Sequence, residues 1–333
     1  MGTHVLLPFC HIINDEGLLT AIWNEPNSKI SCNMTDFPVL NILDSEDVAT
    51  PTNWNMLCKY LTLNELLNEK SNCHNLSITH INTRSLKKNF DSLKTYLSHF
   101  TVLPKFIAIT ETWLKENDES SFQLPNFKFL SNPRKDRTGG GVGLYICNSL
   151  SFVIRTDLMQ ILGNVCEYIA IETQIDKDHS FIVISIYRPP NCDLQIFNHN
   201  FKTLLEKLEI ESNHKSIIVA GDLNIDLIKS NHHKHTEDFI NILLAAGFLP
   251  TVTRPTSLTE FSSTLLDNIY VNCFQFVHSS SIVFDDTSDH LPVIANFNFN
   301  VSMTSDQSVI NKRSFKSENF QDFYNKLEVN QLE

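Results

Sequence analysis

The chain has 333 residues, 42% of them hydrophobic and 23 of them Phe, enough to bury a sizeable core and too apolar for a chain disordered throughout. A formal net charge of −12 excludes a simple basic coat protein for nucleic acid, and no apolar run approaches the roughly 20 residues of a membrane span. The start, MGTHVLLPFC, has no basic region or small-residue cleavage site, and Leu6 breaks the myristoylation pattern; eight Cys without a CxxC pair read as reduced thiols of an intracellular protein, nuclear or cytoplasmic.

Residues 1–75 carry three basic against nine acidic side chains and show no sustained period. They predict a poorly ordered leader with one short helix near 61–69. From Leu76 the pattern sharpens. LSITHIN (76–82) is a short apolar run with a polar end. Phe90, Leu93, Tyr96, Leu97 and Phe100 follow at helical spacing. KFIAITE (105–111) is a strand ending on a carboxylate. Gly139-Gly-Gly-Val-Gly-Leu-Tyr-Ile-Cys reads as a strand entered through a flexible turn. A phosphate loop is the alternative, but the Lys-Ser/Thr ending and the GxGxxG order are both missing. Further strands are predicted at 167–172, 181–187, 216–222, 265–271 and 292–299. Helices are predicted at 196–209 and 236–246, the second stopped by Gly247. Strands mixed with helices across 76–300 predict one α/β domain of layered sheets. The polar stretch 301–333 reads as a tail or linker.

Polar residues gather where strands end. Asn82, Glu111 and Tyr187 each close an apolar run, and Asp222 and Asn224 close another in Gly221-Asp222-Leu223-Asn224. Asp289-His290 stands just before the last strand. Strand ends are where a rigid scaffold displays functional side chains. Each residue alone has a plainer reading: a turn Asn, a solvated Glu, an exposed Asp-His pair, an ordinary Gly-Asp-Leu-Asn turn. Together they offer carboxylates, amides and His, with no Cys/His cluster at zinc spacing. Hard oxygen donors suit Mg²⁺, or Mn²⁺, better than zinc.

Taken in order, THINTRSL, IAITETWL, GGGVGLYI, YRPPN, VAGDLN, TRPT, LLDNIYV and SDHLPV resemble the endonuclease/exonuclease/phosphatase superfamily. The likeness looks closest to the apurinic-type endonuclease domain of non-LTR (LINE-like) retrotransposons, and runs from about Leu76 to Phe299. It implies a four-layer α/β sandwich of the DNase I-like kind, two mainly antiparallel sheets flanked by helices. It also implies a Mg-dependent phosphodiesterase that nicks DNA and leaves a 3′-hydroxyl. By the same resemblance Asn82, Glu111 and Asp289 match residues at the metal. Tyr187 matches an aromatic residue at the scissile phosphate, and Asp222 and Asn224 the pair beside the attacking water. Asp267 matches the carboxylate that orients the His, and Asp289-His290 the final motif. The choice of general base, Asp222 or the His290–Asp267 pair, stays open.

One position departs from the pattern. Some superfamily members carry an acidic residue two places after the first Asn, where this chain has Arg84. Arg84, Lys87, Lys88, Arg134, Lys135, Arg137 and Arg254 are expected to touch DNA, with a solvated surface as the alternative. No recognition helix or finger is visible, so a modest target preference read partly from DNA shape is expected. The chain lacks the Tyr/Phe-x-Asp-Asp of a reverse transcriptase; Phe284-Asp285-Asp286 has no spacer residue. A reverse-transcriptase segment would therefore be a partner from a longer element protein, the alternative being a stand-alone relic. A phosphatase or sphingomyelinase of the same fold, or a non-catalytic binding domain derived from the nuclease, are the other readings.

Overall fold

Phe106 and Ala108 face one apolar cluster, while Ile107 and Ile109 between and beyond them face another. A strand apolar on both faces must be covered on both, and this alternation sets the layers. The computed structural model describes residues 18–22, 29–33, 39–40, 58–69, 75–135, 139–163, 165–175, 179–212, 215–259 and 261–300, the first two segments by backbone alone. In chain order the elements are β1 (Leu18–Ile22), β2 (Lys29–Asn33), β3 (Cys58–Leu61), α1 (Leu63–Asn68), β4 (Asn75–Asn82), α2 (Leu86–Leu97), β5 (Phe106–Thr110), β6 (Phe127–Asn132), β7 (Val142–Cys147), β8 (Phe152–Ile154), β9 (Glu167–Gln174), β10 (Ser180–Tyr187), α3 (Leu194–Ser212), β11 (Lys215–Asp222), α4 (Lys234–Ala245), β12 (Leu249–Pro250), β13 (Ser257–Leu258), β14 (Ser263–Thr264), β15 (Asp267–Val271), β16 (Val277–Val283) and β17 (Val293–Asn300).

One sheet has the order β3-β16-β17-β4-β5-β7-β6, the other β12-β15-β11-β10-β9-β8. Strand pairs β3–β16, β4–β5 and β10–β11 are parallel; the rest are antiparallel. The sheets meet through Ile78, Phe106, Ala108 and Leu144 on one side and Ile169, Ile171, Phe181 and Val183 on the other. On the outer face of the seven-stranded sheet, Leu86, Leu93, Tyr96 and Leu97 of α2 pack on Ile81, Ile107, Ile109 and Tyr145. On the outer face of the six-stranded sheet, Phe197 and Phe201 of α3 stack and meet Phe239 of α4, whose ring stands edge-on to Tyr270. The result is the four-layer α/β sandwich that the resemblance implied. Each buried aliphatic matters: truncating Ile107 to Ala costs about 2–5 kcal/mol through lost burial and the cavity left.

Helix ends follow their local chemistry. Thr62 caps α1 with a reciprocal box: its backbone N–H donates to Glu65 Oε2 at 2.7 Å and its hydroxyl accepts from Glu65 N at 3.2 Å. Among the described residues no helix is long and apolar enough to cross a membrane. The chain enters the sheet earlier than the boundary expected at residue 75. β3 forms a parallel pair with β16, and Leu61 and Leu66 join the outer cluster. The remainder of the expected leader lies largely outside the described residues, and the expected tail 301–333 wholly so.

Candidate active site

The ends of six strands converge. β4 ends on Asn82, β5 just before Glu111, β10 on Tyr187 and β11 on Asp222. β15 and β17 run antiparallel to their neighbours β11 and β4, so their beginnings lie at that same end; Asp267 pairs with Asp222, and Val293, shortly after His290, with His80. The site is thus shared between the sheets. Gly221 fits this crowding because a Cβ there would lie 1.8 Å from Ile186 O, so a side chain would push β11 off β10.

Asn82 is the junction. Its Nδ2 donates to Asp222 Oδ2 at 2.8 Å and to Glu111 Oε1 at 3.1 Å. Its Oδ1 accepts from Arg84 N at 3.1 Å, which fixes which way the amide faces. Glu111 also accepts from Tyr187 OH at 3.3 Å and from Trp113 Nε1 at 3.2 Å. Glu111 and Trp113 both hold left-handed backbone, φ 51° and 52°. This is a costly conformation for side chains of that size, and strain of this kind clusters at functional sites.

The second half of the site is a buried acid–imidazole group. His290 Nδ1 lies 2.8 Å from Asp267 Oδ2 and 3.8 Å from Asp222 Oδ2. Thr256 Oγ1 donates to Asp267 Oδ2 at 2.8 Å and accepts from Asp267 N at 3.1 Å. Burial alone would lower the His290 pKa, but Asp267 and Asp222 outweigh it and hold the imidazolium up to about 10. Burial raises Asp222 to about 7, helped by the charge of Asp267. Burial would raise Asp267 too, but His290 bonded to it keeps it below the usual carboxylate range. Two neighbouring carboxylates are thus pushed apart in acidity, the pattern that separates acid from base roles. These three residues also bring one potential metal donor each within 4.8 Å of one another. Two of those donors are turned onto each other by the His290–Asp267 hydrogen bond, so the group suits proton handling better than metal binding.

Other expected residues are also placed. Asn224, at φ 50°, donates its backbone N–H to Asp222 Oδ1 at 2.8 Å and its side-chain Nδ2 to Arg188 O at 2.9 Å. Asp289 Oδ2 accepts from Arg84 Nη1 at 2.5 Å, while its Oδ1 is buried without a partner among the described residues. Lys87 and Lys88 are exposed on α2, and Lys135 is exposed beside Glu116. Arg254 is half-buried between β12 and β13. Arg134 is drawn inward onto Glu167, and Arg137 lies outside the described residues.

Four contributors have no place in the sequence reading of the site. His80, fully buried, brings Nδ1 to 3.7 Å from Asp267 Oδ1, and its Nε2 meets Thr110 Oγ1 at 3.1 Å. Burial lowers its pKa to about 4 although Asp267 pulls the other way. Ser288 Oγ donates to Asn82 O at 2.6 Å. Buried Arg188 donates to Pro189 O, Cys192 O and Asn224 O, closing the turn after β10 against the turn after β11. Trp113 flanks Glu111. His80 alone had a usable signal: Ile78, His80 and Asn82 share the inward face of one strand by period two.

Comparisons with known proteins bear on the fold that carries this site. The endonuclease domain of TRAS1, a telomere-specific non-LTR retrotransposon, superposes with a TM-score of 0.53 at 10% identity, covering 68% of this chain and 99% of that one. The AP endonuclease LMAP from Leishmania major gives 0.56 at 14% identity, covering 75% and 96%. The APE2 catalytic domain from Xenopus laevis gives 0.50 at 18% identity, covering 66% and 91%. No curated protein sequence matches the chain significantly. The fold is that of the endonuclease/exonuclease/phosphatase class, the DNase I-like sandwich. More narrowly, residues 181–294 match the family model described as endonuclease-reverse transcriptase. That segment carries Tyr187, Asp222, Asn224, Asp267, Asp289 and His290, whereas Asn82 and Glu111 precede it.

Proposed function

We propose that the chain is a divalent-metal-dependent phosphodiesterase that nicks DNA to leave a 3′-hydroxyl, and that it is the endonuclease part of a retrotransposon-derived protein. The observation that carries this reading is the continuous hydrogen-bonded path from Glu111 through Asn82 to Asp222, with the His290–Asp267 pair beside it. The donor set fits Mg²⁺ or Mn²⁺. Among the described residues, Asp289 Oδ1 is a buried carboxylate oxygen without a partner, and Glu111 adds further carboxylate oxygens, the hard donors such ions take. Glu111 and Asp289 would hold the ion, with Asn82, its amide nitrogen on Glu111, holding that carboxylate in place; when bound, the ion offsets negative charge on the phosphate.

The chain's own groups divide the remaining work. Asp222, as carboxylate, takes a proton from the attacking water, and its raised pKa makes it a competent base near neutrality. The water oxygen bonds to phosphorus as the bond from phosphorus to O3′ breaks. The electron pair leaves on O3′, which takes a proton from solvent to become the hydroxyl. His290, held charged by Asp267, donates a hydrogen bond to the phosphate oxygens as their charge grows. Asn82 keeps Asp222 oriented toward the water, and Asn224 shapes the turn that presents it. Tyr187 steadies Glu111 and faces the phosphate. A 3′-hydroxyl primes DNA synthesis, so a reverse-transcriptase segment is the partner this product suits.

A supercoiled plasmid incubated with purified protein tests the reading. Nicked circles should form with Mg²⁺ or Mn²⁺, and a DNA polymerase should extend them without prior phosphatase treatment. Absence of nicking with both ions, or nicks that polymerase cannot extend, would sink the proposal.

A further inference from the structure

Arg134 follows β6 on one sheet and Glu167 opens β9 on the other. Their side chains meet bidentately, Nε to Oε1 at 2.6 Å and Nη2 to Oε2 at 2.9 Å, with only 11% and 15% of each exposed. The same guanidinium lies 5.6 Å over the ring of Tyr187. Tyr187 is the cross-strand partner of Glu167, and its hydroxyl donates to Glu111. Gly140, at φ +73°, leaves the space for this: a Cβ there would sit 2.3 Å from the guanidinium carbon. Gly141 N reaches Glu167 Oε2 at 3.4 Å. The three-glycine turn is therefore a seat for Arg134.

We propose that Arg134 is a positioning residue of the active site and not a DNA-backbone contact: with Glu167 it clamps the Tyr187 ring across the two sheets and so fixes the Tyr187 hydroxyl on Glu111. The inference rests on the function proposed above. A backbone-contacting Arg keeps its fork in solvent, free to meet phosphate. Here two donor directions of the fork are taken by one carboxylate and a flat face is taken by an aromatic ring, both in a poorly hydrated setting where such contacts are strong. Lys cannot replace it, because an ammonium has neither the planar fork nor the stacking face.

Two measurements decide the assignment. The first is duplex binding by fluorescence anisotropy in EDTA over a range of salt, for wild type, Arg134→Ala, Arg134→Lys and Glu167→Gln. Losing one phosphate contact lowers the salt slope by roughly one; the proposal expects an unchanged slope. The second is a double-mutant cycle on nicking. Arg134→Ala and Arg134→Lys should each lower kcat about 10- to 100-fold with little change in KM, yet change it less than about twofold in a Tyr187→Ala background. A slope reduced by about one, or full additivity with Tyr187→Ala, overturns the assignment. If Arg134→Ala melts far below wild type, the Lys and Glu167→Gln variants carry the test. A wild-type protein that binds duplex but nicks with neither ion overturns the proposed function, and the salt slope still judges Arg134.

Discussion

His290 Nδ1 sits 2.8 Å from Asp267 Oδ2 inside the protein, and Thr256 holds the same oxygen from the other side. Charge on that imidazole is therefore maintained by a carboxylate that has no freedom to turn away. His290→Ala should lower kcat by about 10² to 10⁴ while duplex binding persists, since a group acting mainly at the transition state is lost. Asp267→Asn should cost less, because it weakens the imidazolium without removing it. Circular dichroism must show both variants folded; a folded His290→Ala that nicks at wild-type rate refutes the catalytic role.

The pH profile follows from the same group. Asp222 must be ionised and His290 protonated, so kcat should rise as pH passes about 7 and fall as it passes about 10. Stability carries a related sign. The folded His290 pKa lies above the ordinary imidazole value of 6.5, so its contribution is fully present below 6.5 and lost as pH climbs through 10. Melting temperature should fall between pH 7 and 10 in wild type and fall less in His290→Gln. A flat kcat from pH 5 to 8 would remove Asp222 as the base.

Metal removal gives the third test. Nicking should stop in EDTA and return with Mg²⁺ or Mn²⁺ in excess. Glu111→Gln should raise the metal concentration needed by at least about tenfold, the scale on which changes at a metal site weaken affinity. Full nicking in EDTA would refute metal dependence outright.

The fourth concerns the start of the domain. A chain beginning at Lys70 lacks β3, whose Tyr60 stacks on Phe284 at 5.1 Å and bonds Pro255 O at 2.9 Å. With Leu61 and Leu66 also gone, stability should drop by ~3 kcal/mol or more, at about 1.5–3 kcal/mol per buried side chain. A chain beginning near Phe37 should melt like the full chain, because it keeps β3 and also Leu40, buried in the core with its N–H on Thr253 O at 2.7 Å. Equal melting temperatures for the two truncations would return the boundary to residue 75.

Much of this was legible because the strand-closing residues come in a fixed order, and the 3.6-residue period marked α3 and α4 within two or three residues of their ends. Other parts were hidden by chemistry that acts at long range. β16, Val277–Val283, contains three consecutive Ser, and no strand was expected there; it is a strand because β17 and β3 pair with it from either side, and Ser280 Oγ finds Thr251 O at 2.6 Å. The Arg134-Lys135 pair reads as solvent-facing, since the carboxylate that draws Arg134 inward lies 33 residues away. His80 looks like any core His until Asp267 arrives from the opposite sheet.

One amide, Asn82, ties the two sheets together at the reacting centre, reaching Asp222 at 2.8 Å. The apolar interface behind it tolerates small slippage, because one methyl is exchanged for another at little change in contact. A hydrogen bond is far less forgiving: an ångström of drift abolishes it. The centre therefore works as a vernier between two leaves of the fold, and loss of turnover marks their misalignment at a stage when both leaves are still intact.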